Sequence, residues 1–327
     1  MKVLLWHVHG SWTTSFVHGR HDYLVPVVPD RGPDGRGRAQ TWDWPSSTVE
    51  VTPQQLAAAA RAGGGHPHRP DVVVLQRPHD AALLEAWTGL RAGVDVPAVH
   101  VEHNTPRGDV DDWRHPLADQ DRVRVVHVTH FNAAVWDTGR APTDVVEHAV
   151  PDPGPLWHGS EPRLSAVVNE PVRRTRVAGT DLLARVAVSV PVDVYGMGVE
   201  ALPDAFPALS TGLHEDLPQA AMHARVAAHR AYLHAYRWTS LGLALVEAMT
   251  LGSPVLVLAT TAAGESVPPE AGLVTSDVDA LARAARVLAH DHEEAAWRGK
   301  AARAHALDRF GMERFHREWD RVLEGAA

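Results

Sequence analysis

Short β-branched and apolar runs alternate with helical patterns along the whole chain, and that alternation leaves few folds open. In the first half, Val3–Val8, Tyr23–Val28, Thr48–Val51, Asp71–Gln76, Pro97–Glu102, Val123–Val128 and Asp144–Ala149 read as strands. Several are continuously apolar, as expected of a parallel sheet covered on both faces. Helical patterns lie between them at Gln54–Ala62, Asp80–Ala92 and Asn132–Thr138. A Pro/Gly stretch, Pro151–Pro155, interrupts the series, and a second one follows. Its strands are Ser165–Asn169, Pro191–Tyr195, Ala231–Ala235 and Pro254–Leu258. Its helices are Asp181–Val188, Leu217–Arg225 and Leu241–Leu251, then Asp277–His290, Glu293–Leu307 and Met312–Leu323. Strands alternating with helices mean βαβ units and parallel sheets.

The expectation is therefore an α/β protein of two Rossmann-like domains, residues 1–155 and 156–327, joined by a linker near Pro151–Pro162. The last helix is free to pack back on the first domain. At roughly 150 residues per domain, the 327 residues suffice for two. Ligands of such sheets sit outside the carboxyl ends of the strands.

Composition removes several chemistries. With no cysteine, thiolate metal sites, disulfides and cysteine nucleophiles are excluded. A net charge of −9 argues against nucleic acid as a partner, because binding there depends on neutralising phosphates. No apolar run approaches the ~20 residues of a membrane span, and no secretory leader pattern opens the chain, so a cytoplasmic location is expected. Lys2 and Lys300 are the only lysines among 31 basic residues, a bias that fits a GC-rich genome. The histidine pairs His7/His9, His66/His68 and His290/His292 lack the convergent three or four ligands of a zinc site, so no metal is assigned. Asp109, Asp111 and Asp112 read as a solvated acidic loop. The dinucleotide, P-loop and nucleophile-elbow glycine patterns are all absent.

The richest segment is Arg237–Val255. Thr239 or Ser240 is placed to cap a helix, with free N–H groups at its first turn and Gly242 beside them, a ready anion site. Glu247 lies two turns further on, either as an acceptor for a vicinal diol or on the polar side of a capped core helix.

That segment, Ser240-Leu-Gly-Leu-Ala-Leu-Val-Glu247-Ala-Met-Thr-Leu-Gly-Ser-Pro-Val255, resembles the E-x7-E region of retaining GT-B glycosyltransferases of family 4. Downstream, Ala263-Gly-Glu-Ser-Val-Pro and Asp277-Val-Asp-Ala-Leu-Ala are similar to the stretches that follow it there. The resemblance implies two Rossmann-like domains facing each other across a cleft. It implies a metal-independent transfer of sugar from a nucleoside-diphosphate sugar to an acceptor hydroxyl, with retention and no further cofactor. By resemblance, Glu247 binds ribose hydroxyls, and Thr239, Ser240, Leu241 and Gly242 lie near the donor, with main-chain groups of the last three near its diphosphate. The first glutamate of the motif is Thr239 here. Arg173, Arg174 and Arg176 stand near a position where the family places a lysine and this chain has Ala178. Guanidinium suits phosphate oxygens. The resemblance further points to His103, with His100 as a lesser candidate, as the histidine beside the reacting sugar. It places His9, Gly10, Ser11 and Trp12 in an acceptor-binding loop. The acceptor is open among glycan, lipid and small molecule, and peripheral membrane contact is compatible with it. Two rivals stand beside this reading: another GT-B enzyme, a nucleotide-sugar epimerase, and a non-catalytic nucleotide-sugar-binding subunit, which Thr239 and Ala178 keep open.

Overall fold

The computed structural model describes residues 1–327. Contacts divide the chain into two compact units, Met1–Ala149 with Met312–Ala327, and Val150–Gly311.

The first unit runs β1 (Lys2–Leu5), α1 (Gly10–Val17), β2 (Asp22–Pro26), β3 (Thr48–Val51), α2 (Pro53–Ala62), β4 (Val72–Leu75), α3 (Asp80–Thr88), β5 (Ala98–Glu102), β6 (Arg124–His127), α4 (His130–Val135) and β7 (Thr143–Val145). Its seven strands pair in parallel in the order β3-β2-β1-β4-β5-β6-β7. The central strands β1 and β4 are buried along almost their whole length, which is why they read as apolar runs. Thr52 opens α2 with a capping box: its side chain accepts from Gln55 N–H while the Gln55 side chain accepts from Thr52 N–H.

The second unit runs β8 (Glu161–Val167), α5 (Thr175–Ala178), α6 (Thr180–Ala187), β9 (Val192–Gly196), α7 (Leu202–Ala205), β10 (Leu213–Glu215), α8 (Gln219–Val226), β11 (His229–His234), α9 (Leu243–Leu251), β12 (Val255–Leu258), α10 (Ala263–Ser266), β13 (Gly272–Thr275), α11 (Val278–His290) and α12 (His292–Arg309). Its six parallel strands take the order β10-β9-β8-β11-β12-β13. Counted from its own first strand, this is the 3-2-1-4-5-6 order of a doubly wound sheet, and the first unit repeats it with one strand added. In each, the order reverses beside the first strand, between β1 and β4 and between β8 and β11.

The chain then returns to the first unit as α13 (Met312–Ala326). Trp319 of α13 lies edge-on to Trp12 and Phe16, at 5.6 and 5.0 Å between ring centres. Arg314 donates to the Glu147 and His148 carbonyls at 3.0 and 2.7 Å, and His316 Nε2 bonds the Ser15 carbonyl at 2.9 Å.

The structure differs from the sequence expectation in several elements. The stretch His9–Trp12, expected as a loop, is the start of helix α1. Strands β10 and β13 were not expected, and the strand expected at Asp144–Ala149 is the short β7, Thr143–Val145. Strand β8 begins at Glu161, inside the expected linker.

Candidate functional site

In the second unit, the carboxyl ends of β8 and β11 flank the point of strand reversal. The chain leaving β8 turns through Glu170, whose φ is +57°, into α5, with Arg174 at its N-terminal boundary. The turn between α5 and α6 is Gly179, with φ +73°. A Cβ there would stand 1.9 Å from the Ala235 carbonyl oxygen, so only glycine lets this turn lie against the end of β11. Main-chain contact continues with Arg237 N–H donating to the Val177 carbonyl at 2.9 Å.

This close approach gathers arginines. Arg237 makes two bonds of 2.7 Å to the carboxylate of Asp181, and Arg176 reaches the same carboxylate at 3.1 Å. The hydrogen bond from Arg237, ahead of the nearby positive charge, holds the Asp181 carboxyl below its ordinary range. Arg174 lies over the Tyr236 ring at 6.0 Å. Arg173 is exposed beside Glu170, 3.3 Å away. The four guanidinium groups outnumber the two carboxylates, leaving a surplus of positive charge. Ala178 is fully buried under this turn, so its position offers no cation.

Helix α9 begins at Leu243, and its N-cap is Gly242, in extended conformation and without a side-chain cap. This corrects the expected cap at Thr239 or Ser240. Ser240 and Leu241 are buried before the helix begins. A Cβ at Gly242 would meet the His234 ring at 2.5 Å, so a side chain there would displace that ring. Glu247, on the second turn of α9, is 8% exposed. Its Oε1 accepts from Gln219 Nε2 at 3.0 Å, and its Oε2 lies 3.5 Å from His223 Nε2. These three residues line a cavity of about 340 Å³, walled on another side by Val150–Pro153 and Leu156. The volume is in the range of small-molecule sites.

In the first unit, the carboxyl ends of β1, β4 and β5 present His9, Gln76 and His103. His103 Nε2 is 3.1 Å from Gln76 Oε1, and the Gln76 amide in turn donates to the Trp6 carbonyl at 2.6 Å. Because the amide oxygen can only accept, His103 carries its proton on Nε2. The His9 ring lies 4.1 Å from His103, and His148 stacks at 6.5 Å. Burial, and then the neighbouring imidazoles, push His103 well below the ordinary histidine value, while burial brings His148 to about 3. The cluster is held neutral, with rings able to donate and accept hydrogen bonds at neutral pH.

Trp12, expected to face the acceptor, is 1% exposed, stacked on Phe16 at 4.8 Å and enclosed by Phe315 and Trp319. It is a core side chain. Gly10 and Ser11 remain partly exposed on the first turn of α1. His100 faces Glu102 and His115. Burial disfavours the Glu102 charge, yet hydrogen bonds from His100, His115 and Asn104 N–H bring its carboxyl down to about 2. Asp109, Asp111 and Asp112 are exposed.

Sequence reasoning assigned no role to Arg237, Gln219, His223, Gln76 or His148. Arg237 and Gln76 had one usable signal, a polar residue at or just past the carboxyl end of an expected strand. Gln219 and His223 lie one turn apart on α8, a spacing shared by many surface helices.

A family model described as "Glycosyl transferase-like" matches residues 171–320, which contain the arginine turn and Glu247. No curated protein sequence matches the chain. Among solved structures, sucrose-phosphate synthase from Thermosynechococcus elongatus is similar with a TM-score of 0.70 and 14% identity, covering 99% of this chain and 98% of that one. HepE of Anabaena in complex with UDP gives a TM-score of 0.71 at 14% identity over 99% and 100% of the two chains. WaaG, a glycosyltransferase involved in lipopolysaccharide biosynthesis, gives 0.63 at 13% over all of both. The structural neighbours are GT-B glycosyltransferases, and the chain has their fold of two parallel-sheet α/β domains. No helix is long and apolar enough to cross a membrane.

Proposed function

We propose that the protein is a glycosyltransferase that moves a sugar from a nucleoside-diphosphate sugar to an acceptor hydroxyl with retention of configuration. The observation that carries the reading is Glu247: a buried carboxylate on α9, braced by Gln219 and His223, at the wall of a cavity in the unit that the family model matches. A carboxylate so placed accepts two hydrogen bonds from a ribose diol. The guanidinium surplus at Arg174, Arg176 and Arg237, with Arg173 at the rim, stands where a diphosphate would gain negative charge as it leaves. Preorganised cations at such a point lower the barrier. They take the part that a divalent metal plays elsewhere, so turnover is independent of added Mg²⁺ or Mn²⁺.

In this reading the second unit binds the donor, with main chain from Thr239 to Gly242 beside it, and the first unit binds the acceptor. Neutral His103, oriented by Gln76, hydrogen-bonds a reacting hydroxyl, with His9, Gly10 and Ser11 lining the same edge. The acceptor oxygen bonds to the anomeric carbon as the bond to the diphosphate breaks, and its proton passes to the departing phosphate oxygen. Because HepE is known in complexes with UDP and UDP-glucose, UDP-sugars head the donor panel.

The test is incubation of the protein with UDP-, GDP-, dTDP- and ADP-sugars and a mixed acceptor pool. Sugar appearing on an acceptor with its anomeric configuration kept supports the proposal. Release of free epimerised sugar would instead identify an epimerase. Saturable donor binding with no turnover would identify a binding subunit, the reading that Thr239 and Ala178 keep open.

A further inference from the structure

The amino-terminal edge of the second sheet, opposite the strand ends that carry the arginines and Glu247, holds a cluster that the proposed transfer leaves unused. Glu161 and His229 are the first residues of β8 and β11 and pair in register. Asp193, the second residue of β9, pairs with Ser165 on the same face of β8 as Glu161. His229 Nε2 lies 3.1 Å from Asp193 Oδ2 and 3.8 Å from Glu161 Oε2, and all three atoms fall within 4.8 Å of one another. The His229 side chain is 2% exposed and that of Asp193 is 9% exposed, while that of Glu161, at 51%, opens the cluster to solvent.

What decides the chemistry is the other nitrogen of His229. Nδ1 lies 2.7 Å from the Arg225 carbonyl oxygen. A carbonyl only accepts, so Nδ1 carries a proton, and Nε2 is the ring nitrogen turned toward the carboxylates. Nε2 is buried, lies 3.1 Å from Asp193 Oδ2 and makes no hydrogen bond of good geometry there. A cation among the three atoms would be bound by Nε2 and by both carboxylates at once. An imidazole fixed by a carbonyl through one nitrogen while the other faces carboxylates is the usual support of a metal-ligating histidine. Ligand atoms around a tetrahedral zinc, at about 2.0–2.2 Å from the ion, stand roughly 3.3 Å apart, close to the separations here.

The Glu102–His115 pair in the first unit supplies the contrast. There Leu117 N–H donates to His115 Nδ1 at 3.0 Å, so Nε2 bears the proton and donates to Glu102 Oε2 at 3.2 Å. That pair is a hydrogen bond. In the His229 cluster Nδ1 is turned to a carbonyl instead, and Nε2 makes no such bond.

We propose that Glu161, Asp193 and His229 form a site for a divalent transition metal of the zinc class. Asp193 offers Oδ2, because its Oδ1 is held by Arg163 Nε at 2.7 Å. His214 Nε2, 3.4 Å from Oδ2, braces the same carboxylate, and its ring stacks on Tyr195 at 4.3 Å. Two carboxylates and a neutral imidazole leave a fourth position on the Glu161 side for water. The ion ties the starts of β8, β9 and β11 together and takes no part in sugar transfer.

The experiment uses the untagged full-length chain, stripped with a chelator, desalted and titrated with Zn²⁺ or Co²⁺. One equivalent of metal per chain is expected, with a tetrahedral Co²⁺ absorption band and a melting temperature that rises with free Zn²⁺. His229→Gln removes the site, and His66→Gln, outside the cluster, leaves the stoichiometry at one. Should His229→Gln fail to fold, Glu161→Gln carries the test, because its side chain is half exposed. Loss of an outer-sphere partner already weakens metal affinity about 10–100-fold, so loss of this ligand is expected to cost at least about tenfold. The proposal is overturned if the wild-type chain holds no stoichiometric metal, or if Glu161→Gln binds as tightly as wild type. It is equally overturned if NMR shows the His229 ring doubly protonated at pH 7.5 and unmoved by Zn²⁺, which would make the cluster an ion-pair network.

Discussion

At the scale of single residues, Glu247 is the sharpest point of attack. Its carboxylate is 8% exposed and already holds Gln219, and in the proposed reading it receives the ribose hydroxyls. Charged hydrogen bonds contribute about 1.5–3 kcal/mol each. Glu247→Ala should therefore weaken UDP binding by roughly 10- to 150-fold, each ~1.4 kcal/mol being tenfold. Calorimetry with UDP and 2′-deoxy-UDP checks the cause. The deoxy ligand should lose much less on substitution, and an equal loss for both would remove the ribose role. The place of Glu247 on its helix was legible in the sequence because that signal is local: an apolar helical pattern that follows a strand. Its partners were not. Gln219 and His223 come from α8, and Arg237 meets Asp181 across 56 positions of sequence. Such pairings exist only once the sheet has brought its strand ends together.

At the scale of elements, the turn at Gly179 fixes the arginine cluster. Positive φ and the Ala235 carbonyl both exclude a side chain there. Gly179→Ala should push α5 and α6 away from β11 and cost more than the ~1 kcal/mol of a strained φ alone. Its readout is a lowered melting temperature together with weaker UDP binding, whereas unchanged values for both would deny the turn its role. Helix α13 makes the corresponding case in the first unit. Trp319 is 2% exposed against Trp12, Phe16 and Phe315, and Trp→Ala in such a core costs about 3–5 kcal/mol. Urea unfolding of Trp319→Ala should show that loss, and a loss under ~1 kcal/mol would mean that α13 is only loosely docked. Elements with a clear period or a buried apolar run were readable in the sequence. Helix α1 was not, because Trp12 to Val17 are all buried and a helix covered on every side has no polar stripe to betray its period. Strands β10 and β13, of three and four residues, are too short to show alternation.

At the scale of the whole molecule, the histidines bind the two units to different pH responses. Burial lowers His103 well below the ordinary value, His127 to about 4 and His148 to about 3 in the first unit, and His234 to about 4 in the second. A histidine buried in its neutral form binds fewer protons folded than unfolded between its folded pKa and about 6.5. Its contribution is therefore complete above pH 6.5 and falls as the pH drops, by up to ~1.4 kcal/mol per pH unit, until the folded pKa is reached. With His7, His9 and His21 also lowered by burial, six such residues in the first unit stand against one in the second, and the first unit should lose stability faster between pH 7 and pH 5. Carboxylates held low, such as Glu102 at about 2, stay ionised through that range and do not mask the effect. Tryptophan supplies a selective probe, since eight of the 11 lie within residues 1–149 and 312–327 and three in the remainder. The melting transition followed by tryptophan fluorescence should fall more between pH 7 and pH 5 than the one followed by far-UV circular dichroism, which reports on both units. No shift would mean that these histidines take up protons in the folded state and are not held neutral by burial, and equal shifts would mean that the two units unfold together.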